Sequence, residues 1–370
     1  MSNDNDNADT DCAQERFESL QEIVQKARTV LTKEKWDSLV GGAETETTIK
    51  RNRLAIETLA FKPRVLRDVR NIDLSVEQFN RRLPLPVFLA PTGPLNLFEA
   101  GGGATAAQAA QHFGVPHMLS SGCTPIEQVA ATAPSALRLA QLYVRGDDTF
   151  VQEYIRRTIT SGCAAICLTV DSPVLARRDR DIANRYRMSG LQSSRGQTYQ
   201  AGLSWRTVQM IKSEYDLPLI LKGIVTAEDA CIAADLGVDW IYVSNHGGRQ
   251  LDHGRGTLEV LPEVVAAASG KARIMIDGGF CRGSDIVKAM AMGADLVGLG
   301  RMQCYAIAAG GEAAIVRMLE ILEDEIYRTM ALLGVSTFSE LDNSYISATT
   351  PVLTPGTLSA FPLNDWNTTQ

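Results

Sequence analysis

The stretch ARIMIDGGFCRGSDIVKAMAMGADLVGLGR (residues 272–301) contains two short apolar runs with a helical pattern between them. The runs Ala272–Gly279 and Ala294–Arg301 are too short for a typical helix. Both are largely apolar rather than alternating, which is typical of parallel strands buried on both faces. Between them, Ser284–Met292 predicts a helix. The stretch therefore predicts a strand–helix–strand unit.

The same unit repeats in the preceding part of the chain. Six further apolar runs are Val87–Pro91, Pro116–Ser121, Leu137–Tyr143, Ala164–Asp171, Leu217–Gly223 and Trp240–Asn245. Helical patterns such as Gly101–Phe113 and Thr226–Leu236 separate them. Eight strand–helix repeats predict an α/β protein with a closed (β/α)8 TIM barrel. An open doubly wound sheet is the alternative, disfavoured because no GxGxxG turn follows the first run.

Composition excludes several classes of protein. Of 370 residues, 45% are hydrophobic and 21% charged, as in an ordinary globular protein. The net charge of −7 and the lack of a basic block argue against nucleic-acid binding. The seven cysteines are scattered without a CxxC pair, so we expect neither a disulfide framework nor a metal site. No apolar run is long enough for a membrane span, and free thiols suit the cytoplasm.

The regions outside the repeats predict the domain organisation. We expect residues 1–12 to be a disordered polar tail, residues 13–348 to form one barrel domain, and residues 349–370 to be a tail that wraps the surface. The first 85 residues predict a helical cap followed by an irregular arm, and Gly311–Leu333 predicts a long helix. Ser172–Trp205 is long for a strand–helix loop, which indicates an active-site lid or a disordered excursion.

Polar residues end every predicted strand. They are Thr92, Ser120, Gln141, Tyr143, Thr169, Asp171, Lys222, Ser244, Asn245, His246, Asp277 and Arg301. Because barrel enzymes carry their chemistry at the carboxyl ends of the strands, these residues predict a site for a polar ligand. The Asp277-Gly278-Gly279 turn and the Gly298–Arg301 segment end the last two strands, where barrels commonly bind phosphate through backbone N–H groups.

The segment SNHGGRQLD (Ser244–Asp252) places a histidine and an arginine three residues apart at a strand end. His246 can take up a proton near neutral pH, and Arg249 can bind a carboxylate through two parallel hydrogen bonds. A purely structural, hydrogen-bonded histidine is the alternative for His246. The pair predicts a site for a small anionic substrate.

This segment, with LTVDSPVLARRDRD (residues 168–181), resembles the FMN-dependent 2-hydroxy acid oxidases and dehydrogenases. That family includes glycolate and lactate oxidases, mandelate dehydrogenase and the flavin domain of flavocytochrome b2. The resemblance covers residues 13–348, and its other landmarks include GGAETETTIKRNR, LAPTG, LSSG, AQLYV and GLGR. It implies an FMN-binding (β/α)8 barrel that oxidises a small 2-hydroxy acid.

The resemblance also implies roles for individual residues. The isoalloxazine ring would be surrounded by Pro91, Thr92, Gly93, Ser120, Gln141 and Thr169. Lys222 would stabilise negative charge on the reduced ring. The ribityl chain and phosphate would be held by Ser244, Asp277, Gly278, Gly279, Gly300 and Arg301.

The implied catalytic residues form a second group. His246 would be the base, oriented by Asp171, and the sequence does not distinguish hydride transfer from a carbanion route. Arg178 and Arg249 would bind the substrate carboxylate, and Tyr143 would contact its hydroxyl.

Three positions depart from the family pattern. Ser38 stands where relatives have a carboxylate-binding tyrosine, Gly122 where an aromatic residue is common, and Cys281 where a phosphate-binding arginine is usual. The first two changes predict a wider pocket and a substrate bulkier than glycolate, aryl or long-chain, or a larger natural-product or peptide substrate. The third predicts weaker phosphate binding.

The remaining expectations concern partners and alternatives. The electron acceptor is oxygen or a quinone-like compound; Gly93 opens space that suits either. By resemblance, the chain forms a homo-oligomer, a tetramer in many relatives. A catalytically degenerate flavin-binding protein is the alternative, but retention of His246, Arg249 and Lys222 argues against it. An FMN-dependent isomerase lacks support.

Overall fold

The chain forms a closed barrel of eight parallel strands. The computed structural model describes residues 17–186 and 198–364. The barrel strands are β4 (Val87–Leu89), β5 (His117–Ser120), β6 (Arg138–Leu142), β7 (Ala165–Thr169), β8 (Leu219–Ile224), β9 (Trp240–Val243), β10 (Arg273–Ile276) and β11 (Leu296–Leu299). Their spatial order follows the chain, and β11 pairs with β4 to close the ring. The predicted (β/α)8 barrel is confirmed.

Helices follow the strands and cover the outside of the barrel. They are α4 (Gly103–Phe113), α5 (Ile126–Thr132), α6 (Asp148–Thr160), α9 (Trp205–Glu214), α10 (Ala227–Asp235), α11 (Thr257–Ala268), α12 (Gly283–Ala291) and α13 (Arg301–Leu333). Two short helices, α7 (Asp179–Ala183) and α8 (Thr198–Ala201), lie in the connection between β7 and α9. The backbone of α13 is non-helical at Gly310 and Gly311, so the predicted helix from Gly311 is its second part.

The barrel strands are apolar throughout because both of their faces are buried. One face fills the barrel interior, where Phe88, Met118 and Tyr242 pack together. The other face packs against the surrounding helices in a larger apolar layer. This arrangement explains why the sequence shows continuous apolar runs instead of alternation.

A β-hairpin closes the amino-terminal end of the barrel. Strands β2 (Val76–Gln78) and β3 (Arg81–Leu83) are antiparallel and joined at Phe79 and Asn80, which have φ of 51° and 56°. The Phe79 ring stacks on Trp240 at 4.7 Å between centroids. The sequence predicted an irregular arm here, because three-residue strands are too short to give a pattern. With this end closed, ligands reach the barrel at its carboxyl end.

The first helices and the C-terminal segment pack together beside that carboxyl end. Helices α1 (Leu20–Val30), α2 (Lys33–Val40) and α3 (Thr47–Glu57) precede β1 (Leu59–Phe61), which pairs with β12 (Ile346–Ala348). Residues 349–364 then run back along the helices: Thr357 Oγ1 donates to Val40 O at 3.0 Å, and Ser359 Oγ donates to Glu57 Oε1 at 2.7 Å.

Some expectations fall outside the described residues. These are the disordered tail at residues 1–12, the end of the C-terminal tail from residue 365, and residues 187–197 of the expected lid. Within the described ranges, none of the helices combines the length and apolar character that a membrane crossing requires. His, Cys, Asp and Glu side chains in the same ranges form no group of three or more suited to a metal ion.

Candidate active site

The loop after β9 presents His246 at the carboxyl end of the barrel through an unusual backbone. His246, Gly247 and Gly248 all have positive φ, of 59°, 62° and 75°. The His246 N–H donates to Ser244 Oγ at 3.1 Å, which holds the turn against the strand. A Cβ atom on Gly248 would lie 2.6 Å from the backbone nitrogen of Ile49 in α3, so only glycine fits this close contact.

A pair of side-chain amides fastens the same loop to the helical cap. Asn52 Nδ2 donates to Asn245 Oδ1 at 2.9 Å, and Asn245 Nδ2 donates back to Asn52 Oδ1 at 2.7 Å. Asn245 Oδ1 also accepts from the Gly248 N–H at 3.1 Å. The cap therefore fixes the loop that carries His246. Asn52 was missed by sequence reasoning, although it lies in the KRNR motif.

Both ring nitrogens of His246 face polar side chains, of which the sequence predicted Asp171 and Tyr143 for the site but not Ser172. Nδ1 lies 3.1 Å from Asp171 Oδ1 and 3.3 Å from Ser172 Oγ. Nε2 lies 3.1 Å from the hydroxyl of Tyr143. An acidic group on one nitrogen and a phenol on the other is an arrangement suited to proton transfer at Nε2.

Burial and neighbouring charges set the protonation states of this group. Burial and the Lys222 ammonium lower the pKa of His246, while Asp171 opposes them. Burial would raise the pKa of Asp171, but His246 and Lys222 outweigh it and lower that pKa to about 2. Burial raises the pKa of Tyr143 to about 12. At neutral pH the site thus holds a neutral imidazole, an ionised carboxylate and a neutral phenol.

Three guanidinium groups cluster beside the imidazole. Arg249 Nη1 donates to the carbonyl oxygens of Ser38 and Gly41, at 2.6 and 2.9 Å. Arg301 donates to the carbonyl oxygens of Leu39, Gly41 and Gly247. Burial, together with Arg178 and Arg301, lowers the pKa of Arg249. A bound anion would offset this mutual repulsion.

Arg178 completes the cluster from the connection after β7. Its Nη2 lies 3.4 Å from the carbonyl oxygen of Arg249, and its Nε is buried with no hydrogen-bond partner in the described part of the chain. A buried donor without a partner is costly, so a ligand that accepts from it is favoured there.

The next residues along the rim suit the ring of a flavin. Gln141 Nε2 donates to Thr169 Oγ1 at 2.8 Å, while Gln141 Oε1 is buried with no partner among the residues described.

A buried lysine and a buried serine lie on the same rim, Lys222 and Ser120. Burial alone would lower the pKa of Lys222, but the carboxylates of Asp171 and Asp277 outweigh it and raise that pKa. Beyond Pro91, a Cβ atom on Gly93 would lie 2.8 Å from Ser120 Oγ. A buried cation, an open acceptor and hydroxyl groups are what a polar aromatic cofactor requires.

The ends of β10 and β11 suit the ribityl and phosphate part. Asp277 accepts from Ser244 Oγ at 2.6 Å and from Tyr242 OH at 2.8 Å. Gly278 and Gly279 have φ of 113° and 89°, and a Cβ built on Gly300 would have no atom of the described residues within 4 Å apart from its chain neighbours. The residues present therefore fit FMN and would hold it through Lys222, Ser244 and these glycines.

The structure also reveals supporting residues that the sequence did not indicate. Gln303 donates to Ala90 O at 2.5 Å and to Thr92 Oγ1 at 3.0 Å, so it holds the loop after β4. Gln200 donates to Thr169 O at 2.7 Å and accepts from the Val144 N–H at 2.7 Å. The one sequence signal for Gln303 is that its side-chain amide interrupts an otherwise apolar helical pattern.

A (β/α)8 barrel with this rim is a scaffold for flavin chemistry, and comparison with known proteins gives the family. The model for the FMN-dependent dehydrogenase family matches residues 27–348. Glycolate oxidase 3 of Arabidopsis thaliana is 37% identical over 365 residues, covering 92% of this chain and 98% of the relative. Glycolate oxidase of Spinacia oleracea is 38% identical over 345 residues, covering 87% and 93%.

Solved structures of related proteins indicate the same family. A structure of mandelate oxidase with (S)-2-phenylpropionate matches with a TM-score of 0.84 at 36% identity, over 91% of this chain and 100% of that chain. The chain belongs to the FMN-dependent 2-hydroxy acid dehydrogenase and oxidase family. It is an FMN-dependent oxidoreductase of 2-hydroxy acids, and the predicted family, enzyme class and cofactor are confirmed.

Proposed function

We propose that His246 is the base that removes a proton from a 2-hydroxy acid as it is oxidised to the 2-oxo acid. The contact that carries this proposal is the 3.1 Å approach of Nε2 to the Tyr143 hydroxyl, with Asp171 on Nδ1. The lowered pKa of His246 keeps the imidazole neutral at physiological pH. Once protonated, the ring is stabilised by the ionised Asp171.

The substrate carboxylate binds to Arg249 and Arg178. Arg249 is already fixed by two backbone carbonyls, so little conformational freedom is lost when it binds an anion. Arg178 brings the buried Nε that lacks a partner among the described residues. The neutral Tyr143 hydroxyl contacts the substrate hydroxyl, which brings the reacting proton close to Nε2.

A bound FMN would supply the acceptor for the two electrons that leave the α-carbon of the substrate. Lys222 remains protonated in its buried position between Asp171 and Asp277 and supplies positive charge to the cofactor site. A buried charge acts strongly because little water screens it.

The substrate is bulkier than glycolate. Ser38 is buried at the end of α2, where its carbonyl oxygen accepts from Arg249, and its side chain is smaller than the tyrosine that the resemblance places there. Gly122 removes a second wall after β5. An aryl or long-chain 2-hydroxy acid fits this widened space better than a two-carbon acid. Among the solved relatives is a mutant of mandelate oxidase with (S)-mandelic acid.

An anaerobic screen tests the proposed function. The FMN-loaded enzyme is mixed with glycolate, lactate, 2-hydroxyhexanoate and mandelate, and bleaching of the flavin absorbance is followed. We expect the larger acids to bleach the flavin absorbance faster than glycolate does. A clear preference for glycolate would contradict the proposal. Re-aeration then identifies the acceptor, because an oxidase regains its colour with peroxide formation, whereas a dehydrogenase requires a quinone or a dye.

A further inference from the structure

We propose that Arg145 selects 2-hydroxy acids that carry a second anionic group at the end far from the reacting carbon. The proposal rests on the proposed function, because Arg145 lies at the outer wall of the same site. It narrows the substrate class from bulky 2-hydroxy acids to 2-hydroxy dicarboxylic acids.

The first observation concerns the space beside Gly122. Among the described residues other than its chain neighbours, a Cβ atom built on Gly122 would meet one atom within 4 Å, the Nη2 of Arg145 at 3.3 Å. On the inner side, the Gly122 carbonyl carbon lies 3.9 Å from a Cβ built on Gly93, in the segment assigned to the flavin ring. The guanidinium of Arg145 therefore borders the space that a larger side chain at residue 122 would enter.

The second observation is that the backbone leading to Arg145 is fixed. The Tyr143 N–H donates to Ser121 Oγ at 3.1 Å, next to Gly122. The Val144 N–H donates to Gln200 Oε1 at 2.7 Å, and Tyr143 itself contacts His246. One short segment thus carries both a residue of the reacting centre and the outer guanidinium.

The third observation is that none of the described residues pairs with the charge of Arg145. It is exposed, and among the described residues it has no ion pair or hydrogen bond. Asp147 follows in sequence but accepts from the Phe150 N–H at 3.3 Å as the cap of α6. By contrast, Arg249 and Arg301 are held by backbone carbonyls. A guanidinium beside Gly122 that has no partner among the described residues is suited to a carboxylate, which it binds through two hydrogen bonds.

The test compares matched substrates in the FMN-loaded enzyme. Malate is paired with 2-hydroxybutyrate, 2-hydroxyglutarate with 2-hydroxyvalerate, and 2-hydroxyadipate with 2-hydroxyhexanoate, so that each pair differs mainly in the terminal carboxylate. We expect kcat/KM to favour one dicarboxylate over its partner. Arg145→Leu should lower that ratio about tenfold, the worth of one charge-assisted contact, and Arg145→Lys should restore part of it.

Arg156→Leu is the matched control. Arg156 lies on the solvent-facing side of α6 and pairs with Glu153, so this variant removes the same charge outside the site. The ratio should be unchanged in it. An equal ratio in wild type and Arg145→Leu, or an equal loss for both members of a pair, would overturn the proposal.

A binding measurement separates this proposal from the proposed function. Perturbation of the flavin absorbance by 2-oxoglutarate and by 2-oxovalerate reports binding without turnover. If Arg145→Leu weakens only 2-oxoglutarate while no hydroxy acid bleaches the flavin, the contact of Arg145 with a second carboxylate stands and the proposed function fails. If monocarboxylic acids bleach the flavin and Arg145→Leu weakens neither ligand selectively, the proposed function stands and the Arg145 proposal fails.

Discussion

The carboxylate of Asp171 lies 3.1 Å from Nδ1 of His246, and it opposes the burial and the Lys222 charge that lower the pKa of the imidazole. The active form is the neutral imidazole, so activity rises as pH increases through the pKa of His246. Because that pKa lies below the ordinary value of about 6.5, we expect kcat/KM to fall only below about this pH. This fall at low pH is the acid limb of the pH profile.

Asp171→Asn should move the acid limb further toward low pH. The substitution removes the charge that raises the pKa of His246, and a less basic imidazole also lowers the plateau rate, by roughly 10- to 100-fold. The measurement is the pH profile of kcat/KM. Ser172→Ala is the control, since it removes a neutral contact to the same nitrogen and should leave the limb in place. A limb that moves upward in Asp171→Asn contradicts the assignment.

Lys222→Met should shift the same limb in the opposite direction. Lys222 lowers the pKa of His246, so its removal raises that pKa and moves the limb to higher pH. We also expect slower flavin reduction, because the buried positive charge is lost. The profile is measured beside the melting temperature, since Asp171 and Asp277 lose a counter-charge. Limbs that shift in the same direction in both variants are inconsistent with this electrostatic account.

The buried ion pair between Arg53 and Asp285 should dominate the attachment of α3 to α12. Their closest atoms are 2.7 Å apart, and both side chains are about 5% exposed or less. Arg53→Ala leaves a buried carboxylate unpaired and should cost about 3–5 kcal/mol in the free energy of unfolding. Arg255→Ala, in an exposed pair with Glu263, should cost at most about 1 kcal/mol. Urea denaturation measures both, and equal costs would refute the difference in burial as the cause.

Gly248→Ala should disrupt the loop of His246 beyond the cost of its backbone conformation. Gly248 and Gly237 have similar φ, 75° and 73°, but a Cβ on Gly237 would have no atom within 4 Å in the described ranges apart from its chain neighbours. Gly237→Ala should therefore cost about 1–2 kcal/mol for the left-handed backbone alone. Gly248→Ala adds a clash with Ile49 and should cost about 1–3 kcal/mol more, with loss of activity. Thermal unfolding of the two variants provides the comparison.

The barrel could be predicted because its signal is repeated. Each strand is buried on both faces, so eight continuous apolar runs appear, and a polar residue ends each one. The hairpin formed by β2 and β3 could not be predicted, since its strands are three residues long and β3 begins with two exposed arginines, Arg81 and Arg82. Its place is set by a tertiary contact, the stacking of Phe79 on Trp240.

The residues of the site also fall into a group that the sequence could predict and a group that it could not. His246, Asp171 and Tyr143 lie at strand ends, where polar residues are conspicuous in the sequence. Asn52 and Gln303 support the site from helices, and their importance depends on contacts to residues far away in sequence: Asn245 is 193 positions from Asn52. Such pairs leave no local pattern, so they become visible only in three dimensions.

The most direct test of the central claim is stopped-flow reduction of the bound flavin in His246→Gln under anaerobic conditions. His112→Gln, on the exposed part of α4, is the control. If His246 is the base, the variant binds FMN with an unaltered spectrum while flavin reduction slows roughly 10²- to 10⁴-fold, and His112→Gln behaves as wild type. Reduction of the His246→Gln flavin at the wild-type rate would contradict the claim.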